Sequence, residues 1–300
     1  MERPLLEVKQ LRQHFRISRS FTVKAVNGVS FAIRPGETYG LVWESGSGKT
    51  TIGRSIIRLH DPTEGEILFE GRNISGSLDR ETRQMLRKDM QMIFQDPMSS
   101  LNPRKKVADI IGEGLDIHNL CATQKERGEI IGRMLQKVGL SPSHAERYPQ
   151  QFSGGQRQRI GIARALVMNP KLIIADECIS ALDVSIQAQV INLMKDIQEE
   201  TKCAYLFIAH DLSMVKYISD RIGVLHKGYL VETGTTEEIF SDPVHPYTKS
   251  LLSAVPLPNP RAEKNRRLLP YDGEGADYEK GAMRKVSDTH LVLEAPGGKP

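Results

Sequence analysis

The hexapeptide Ser45-Gly46-Ser47-Gly48-Lys49-Thr50 constrains this chain more than any other stretch. It follows a short apolar run, Glu37 to Val42, and precedes a helical pattern from Lys49 to His60 with Ile52, Ile56 and Ile57 on one face. Strand, glycine loop and helix in that order make an α/β unit whose loop offers backbone N–H groups at a helix N-terminus, where the dipole is positive and phosphate charge is held well. Gly46 and Gly48 let the backbone come close to such an anion. Lys49 would meet the β- and γ-phosphates of a triphosphate, the Thr50 hydroxyl would ligate Mg²⁺, and Thr51 is counted with the loop. One position departs from the full pattern: Trp43 stands where glycine is required. At positive φ a large side chain there would cost about 1–2 kcal/mol of backbone strain. The expectation is a working but weakened nucleotide site, with full tolerance and a disabled site as the alternatives.

Leu5 to Arg34 contains two β-rich stretches ahead of the loop. Beyond it, a strand at Met90 to Phe94 runs into Gln95-Asp96-Pro97, where the proline is expected to stop regular structure. Helical patterns follow: Val107, Ile110, Ile111 and Leu115 on one, then Thr123 to Val138, opened by the capping box Thr123-Gln124-Lys125-Glu126 and burying Ile130, Ile131, Met134 and Val138. From Lys171 the α/β rhythm resumes with strand Leu172 to Ala175, helix Val184 to Glu200 burying Ile186, Val190, Leu193 and Ile197, and strands Tyr205 to Ile208 and Ile222 to Leu225. Tyr229 to Glu232 and a helix opened by Thr235-Thr236-Glu237-Glu238 close the core near Asp242. The proline-containing tail reads as an irregular extension with a late strand at Thr289 to Leu293.

Asp176 ends an apolar strand, which places its carboxylate at the C-terminal edge of a parallel sheet, positioned to hold Mg²⁺ through water. Glu177 follows and is the natural general base for an attacking water. Phe152-Ser153-Gly154-Gly155-Gln156 comes shortly before this pair.

Together these three strings resemble the nucleotide-binding subunit of an ATP-binding-cassette (ABC) transporter. The resemblance implies an α/β fold: a P-loop NTPase ABC cassette with a RecA-like parallel-sheet core, an N-terminal antiparallel β subdomain, an all-helical signature subdomain and a C-terminal extension. The expected boundaries are an ATPase domain over 1–242, with the helical subdomain at about 96–168, and an extension over 243–300. It implies ATP and Mg²⁺ as cofactors. Gln95 matches the Q-loop glutamine, a γ-phosphate sensor and metal contact; Ser180-Ala181-Leu182-Asp183 matches the D-loop; His210 matches the switch histidine. Ser153, Gly154, Gly155 and Gln156 would serve a nucleotide held by the other subunit of a pair. Adenine usually stacks on an upstream aromatic residue, for which Phe21 is the candidate and Phe15 the rival. Proline is usual after the catalytic glutamate, whereas this chain has Cys178, read as a tolerated change.

The resemblance narrows further on Phe94 to Pro103, Arg147-Tyr148-Pro149, Ser180 to Gln189 and Pro243 to Pro256, which look like ATPase subunits of bacterial oligopeptide and dipeptide importers, with a tail most similar to the F-type subunit. It implies a heterodimer with a second ATPase subunit, two transmembrane permease subunits, an extracytoplasmic peptide-binding protein and a peripheral place on the cytoplasmic face of the membrane. The helix beginning at His245-Pro246-Tyr247-Thr248 reads as docking on the core through Tyr247, Leu251 and Leu252. Some relatives bind an iron-sulfur cluster in the extension; no cysteine follows Cys203, so none is expected. The competing readings are a nucleotide-binding subunit of phosphonate-degrading machinery and a catalytically impaired structural partner.

Composition agrees. No apolar stretch approaches the ~18–20 residues of a membrane span, and Met1-Glu2-Arg3-Pro4 lacks the apolar core of a signal peptide. Cys121, Cys178 and Cys203 have no metal-ligand spacing, which suits a reducing compartment. The net charge of +4 comes from 41 Lys and Arg interleaved with 37 acids, so nucleic acid is not an expected partner.

Overall fold

The computed structural model describes residues 3–18, 21–43, 49–180, 182–256, 267–271, 273 and 275–297. They gather into two compact units, Met1–Gly76 with Phe207–Pro300, and Ser77–Leu206.

The first unit opens with strands β1 (Leu6–Arg16) and β2 (Thr22–Ile33), paired antiparallel, followed by β3 (Thr38–Trp43), helix α1 (Lys49–Ile56), β4 (Glu64–Phe69) and β5 (Arg72–Asn73). Strands β2, β1, β4 and β5 form a four-stranded antiparallel sheet in that order. Leu6, Val8 and Leu11 of β1 are buried; β3 is buried at all six residues, as a strand covered on both faces requires. Helix α1 stops four residues before His60. Arg58 takes the left-handed φ of 61°, and the N–H groups of Arg58 and Leu59 turn back to the carbonyls of Ser55 and Arg54 at 3.2 and 2.8 Å. This is a Schellman closure without its usual glycine, so nothing in the residue pattern marks the end.

The second unit holds α2 (Arg80–Asp89), β6 (Met90–Ile93), α3 (Pro97–Ser100), α4 (Val107–Ile117), α5 (Gln124–Lys137), α6 (Gly154–Leu166), β7 (Leu172–Asp176), α7 (Val184–Thr201) and the start of β8 (Ala204–Ala209). Strands β6 and β7 are parallel with Ile93 opposite Ala175. Pro97 does not end regular structure as expected: it occupies the first position of α3, where the missing N–H costs nothing. The box at Thr123 is half formed. Its hydroxyl accepts from Glu126 N at 3.2 Å, but the Glu126 carboxylate accepts from Ala122 N instead of Thr123 N. The buried stripe of α5 is Ile131 and Leu135, with Val138 beyond its end; Ile130 and Met134 are half-buried. In α7 it is Val190, Ile191, Met194 and Ile197, leaving Ile186 and Leu193 half-buried. Both stripes lie about one residue round from the expected line.

The first unit resumes with α8 (Leu212–Ile218), β9 (Arg221–His226), β10 (Tyr229–Thr235), α9 (Thr236–Ser241), α10 (Pro246–Ser253), β11 (Ala282–Lys285) and β12 (Leu291–Glu294). Here the order is β11-β12-β10-β9-β3, with β3 and β9 parallel and the rest antiparallel. The tail is therefore less irregular than expected, since β11 and β12 extend the sheet. Glu232 in β10 is fully buried. Its carboxylate accepts from Val244 N at 2.7 Å and His245 N at 3.0 Å, and lies 2.7 Å from His290 Nε2. Tyr247 and Thr248 are the buried residues of α10, whereas Leu251 and Leu252 are half-buried.

Candidate nucleotide and hydrolysis site

In the first unit, Lys49 is the first residue of α1, and Thr50 and Thr51 are half-buried in its first turn. Ser45, Gly46, Ser47 and Gly48 lie outside the described residues. Trp43 is the last residue of β3, opposite Leu225, and only 1% exposed. It is not among the residues of positive φ, so the condition for glycine-specific strain at this position is not met. Phe21 is 58% exposed, and its carbonyl accepts from Ile17 and Ser18 N at the closed end of the β1–β2 hairpin. Phe15 instead packs edge-on against His60 at 5.6 Å. An exposed ring offers a face for stacking and a packed one does not, which favours Phe21. His210 is exposed directly after β8. Asp211 behind it caps α8, accepting from Ser213 N at 2.8 Å and Met214 N at 3.3 Å.

In the second unit, Asp176 closes β7 and is 2% exposed; Glu177 follows at φ 44°. Because β6 and β7 run parallel with Ile93 opposite Ala175, Gln95 and Glu177 each lie two residues past that pairing and meet beyond the strand ends. Gln95 Nε2 donates to Glu177 Oε2 at 2.6 Å. Cys178 is buried, and burial pushes its thiol up to about 12, so it is no thiolate nucleophile.

The pattern alone did not reveal how Glu177 is held. Its carbonyl accepts from Ser180 N at 3.1 Å and Ser180 Oγ at 2.9 Å. Gln187 Nε2 reaches Ile179 O at 3.0 Å and fastens the same turn. Ser180 and Leu182 to Asp183 were expected as a D-loop; Ala181 lies outside the described residues. A serine three residues after a strand-end acid is the signal that such a turn is present.

Ser153 is exposed at the N-cap of α6 in a complete capping box: its Oγ accepts from Gln156 N at 3.3 Å, and Gln156 Oε1 accepts from Ser153 N at 3.0 Å. The Ser153 hydroxyl proton is thereby left to donate outward. The two glycines differ in their reasons. A Cβ on Gly155 would lie 2.7 Å from Ile186 Cγ2, whereas one on Gly154 would meet only Leu182 at 3.9 Å. Gly155 is thus demanded by packing against α7, and Gly154 is free of that demand.

Residues 26–180, more than half of the chain, match the family model described as ABC transporter. Residues 231–281 match that of the oligopeptide/dipeptide transporter C-terminal region. The oligopeptide transport ATP-binding protein of Bacillus subtilis is 59% identical over 296 residues, covering 98% of this chain and 97% of that protein. The dipeptide transport ATP-binding protein of Lactococcus lactis is 55% identical, covering 96% and 93%. Among solved structures, an ATP-binding cassette dimer in a post-hydrolysis state bound to ADP and Pi is 28% identical with a TM-score of 0.70, covering 77% of this chain and 98% of that one. The cbiO1 protein of Clostridium perfringens, part of the ABC transporter complex cbiONQ, is 24% identical and shares the fold at a TM-score of 0.71, covering 88% of this chain and 99% of that one. The chain belongs to the ABC transporter family, among its ATP-hydrolysing subunits.

Proposed function

We propose that the chain is the ATPase subunit of a bacterial peptide importer, paired with a second ATPase subunit beneath two membrane permeases that receive peptide from an extracytoplasmic binding protein. The observation that carries this reading is the match of residues 231–281 to the oligopeptide/dipeptide transporter region, on a chain whose 26–180 match the ABC cassette. It favours peptide import over phosphonate-degrading machinery. No helix of the described residues is long and apolar enough to cross a membrane, and a peripheral place on the cytoplasmic face follows from working with permeases. The domain limits proposed are 1–242 for the ATPase domain, with its helical part at about 96–168, and 243–300 for the extension.

Within the cassette, Lys49 and residues 45–48 would hold the phosphates, with Phe21 under the adenine. Among the described residues no cluster of three or more His, Cys, Asp or Glu is placed to hold a metal. A hydroxyl from Thr50, the carboxylate of Asp176 and the amide oxygen of Gln95 are the oxygen donors a hard cation such as Mg²⁺ takes, completed by phosphate and water. Bound there, Mg²⁺ would neutralise charge on the phosphates. Glu177 accepts a proton from water as the water oxygen bonds to the γ-phosphorus. The bond to the β-bridging oxygen breaks and its electrons leave with ADP. His210 steadies the γ-phosphate, and Ser153, Gly154, Gly155 and Gln156 act on a nucleotide bound by the partner subunit, through the outward hydroxyl and helix N–H groups.

Glu177→Gln keeps the size and removes the base. Steady-state hydrolysis by the assembled complex should fall by ~10² or more while equilibrium ATP binding persists; near wild-type turnover would remove Glu177 from the role. A site completed in trans also predicts that the purified chain hydrolyses ATP slowly and gains activity when its partner subunit is added. High activity per molecule, independent of concentration in a proven monomer, would exclude the paired arrangement.

A further inference from the structure

Helix α7 is fastened on two sides near its start. A Cβ on Gly155 would stand 2.7 Å from Ile186 Cγ2, and three residues on, Gln189 Oε1 accepts from Arg159 Nη2 at 3.0 Å. Positions i and i+3 share a helix face, so this face is held on α6. Gln187 lies about 100° round the helix from Ile186 and reaches a different neighbour. Its Nε2 donates to Ile179 O at 3.0 Å, while its backbone N–H donates to Asp183 O at 2.9 Å. One residue thus grips both ends of the segment 179–183. Asp183, the N-cap of α7, is of a type that caps well, yet it makes no side-chain cap bond. The entry into the helix is tied down from Gln187 instead.

The turn held in this way carries Glu177 at φ 44°, a backbone region that residues with a Cβ enter at a cost and that collects at functional sites. Ser180 N and Oγ on the Glu177 carbonyl, and Leu182 N on Ile179 O at 3.1 Å, close the turn on itself. Gln187 ties it to a helix. Because Ile179 O keeps the Leu182 bond, loss of the Gln187 amide leaves that carbonyl paired, and the cost falls on the placement of the turn rather than on the fold. We propose that Gln187 is a positioning residue for hydrolysis: it holds the 177–183 turn on α7 and so sets where the carboxylate of Glu177 meets water. The proposal rests on the reading of Glu177 given above and adds a residue of α7 to it. Once the turn loosens, Glu177 relaxes out of the left-handed region toward the broader allowed ones. That swings its Cα–Cβ bond and carries the carboxylate out of line.

The test uses the full chain in its assembled transporter with three variants. Gln187→Leu keeps the bulk and removes the donor, Gln187→Glu keeps the shape but faces the carbonyl with an acceptor, and Gln187→Lys restores an N–H donor of similar reach. In the first two, kcat should fall about 10-fold with KM for ATP within about 2-fold, since a remote change that misplaces a reacting group by ~1 Å costs up to ~10²-fold. Gln187→Lys should recover most of the loss. Wild-type kcat in Gln187→Leu, a rise in KM in place of the fall in kcat, or Gln187→Lys as slow as Gln187→Leu overturns the assignment. A second readout needs no turnover. In the nucleotide-free full chain, hydrogen exchange of the Ser180 and Leu182 N–H groups should quicken in Gln187→Leu while α5 and α6 stay as protected as in wild type. Equal exchange at 180 and 182 shows that Gln187 does not hold the turn, and faster exchange spread over α5 and α6 marks a general structural role; either overturns the proposal. Glu177→Gln separates the two levels. If it turns over normally, the reading of the base fails and the positioning role with it; if it is inactive while Gln187→Leu keeps wild-type kcat, the positioning role alone fails.

Discussion

Trp43 carries the sharpest residue-scale consequence. As a strand residue 1% exposed, it contributes the burial of a whole indole, and its position in the pattern of the phosphate loop does not demand a glycine backbone because its φ is not positive. Trp43→Ala should lower the unfolding free energy by about 3–5 kcal/mol, the range for large aromatic truncations in a packed interior. It should bring no gain in ATP affinity, since there is no backbone strain to relieve. Urea unfolding and equilibrium ATP titration of wild type and variant check both halves. Tighter nucleotide binding at unchanged stability would restore the expectation of a weakened site.

At the scale of elements, α10 is held to the ends of β9 and β10 by aromatic packing. Tyr247 lies 4.0 Å from His226, Tyr271 and Tyr278 share a hydroxyl hydrogen bond of 2.7 Å, and Tyr229 and His245 complete the group. Burial lowers both imidazoles to about 4; the Lys227 charge adds to the effect on His226, while Glu232 opposes it on His245. A histidine held below its unfolded value of about 6.5 binds fewer protons folded than unfolded between those two values. Stability therefore falls as pH drops from about 6.5 toward 4 and is unaffected by these groups above that window. Urea midpoints at pH 7 and pH 5 should differ in that direction, and His245→Asn should reduce the difference. Equal midpoints would mean that the imidazoles are not buried in this packing.

For the molecule as a whole, the extension is part of the sheet rather than an appendage to it. Glu232 joins β10 to the start of α10 and to His290 just before β12, while Glu238 of α9 accepts from Ser287 at 2.5 Å and from Thr289 at 2.8 Å. Burial would raise the Glu238 carboxyl, but these bonds and those from Thr235 hold it down at about 2. Glu232→Ala removes one side of a buried polar group, a loss of about 3–5 kcal/mol when the partner is left charged or unsatisfied. The variant should be cut by protease within 243–300 under conditions where wild type resists. Identical digestion patterns would show that the extension is held by its aromatic packing alone.

The sequence by itself determined the identities and order of the chemical groups: the loop at 45–50, the acid pair Asp176 and Glu177, the signature at 153–156, and the alternation of strands and helices around them. These are local features, since a glycine turn, a helix cap and an apolar run are set by neighbouring residues. It also determined most strand positions, because buried parallel strands are short continuous apolar runs. The tertiary structure decided what neighbours along the chain do not encode. Parallel register between β6 and β7 brought Gln95 to Glu177 across 82 positions. Packing of α6 on α7 required Gly155 but not Gly154. The buried stripes of α5 and α7 were turned by about one residue because facing elements, not periodicity alone, choose which side of a helix is covered. Strand β12 was legible as an apolar run, but β11 has exposed side chains along its length and carries no apolar pattern; it is held by its ladder to β12, itself paired to β10, which only the folded chain supplies.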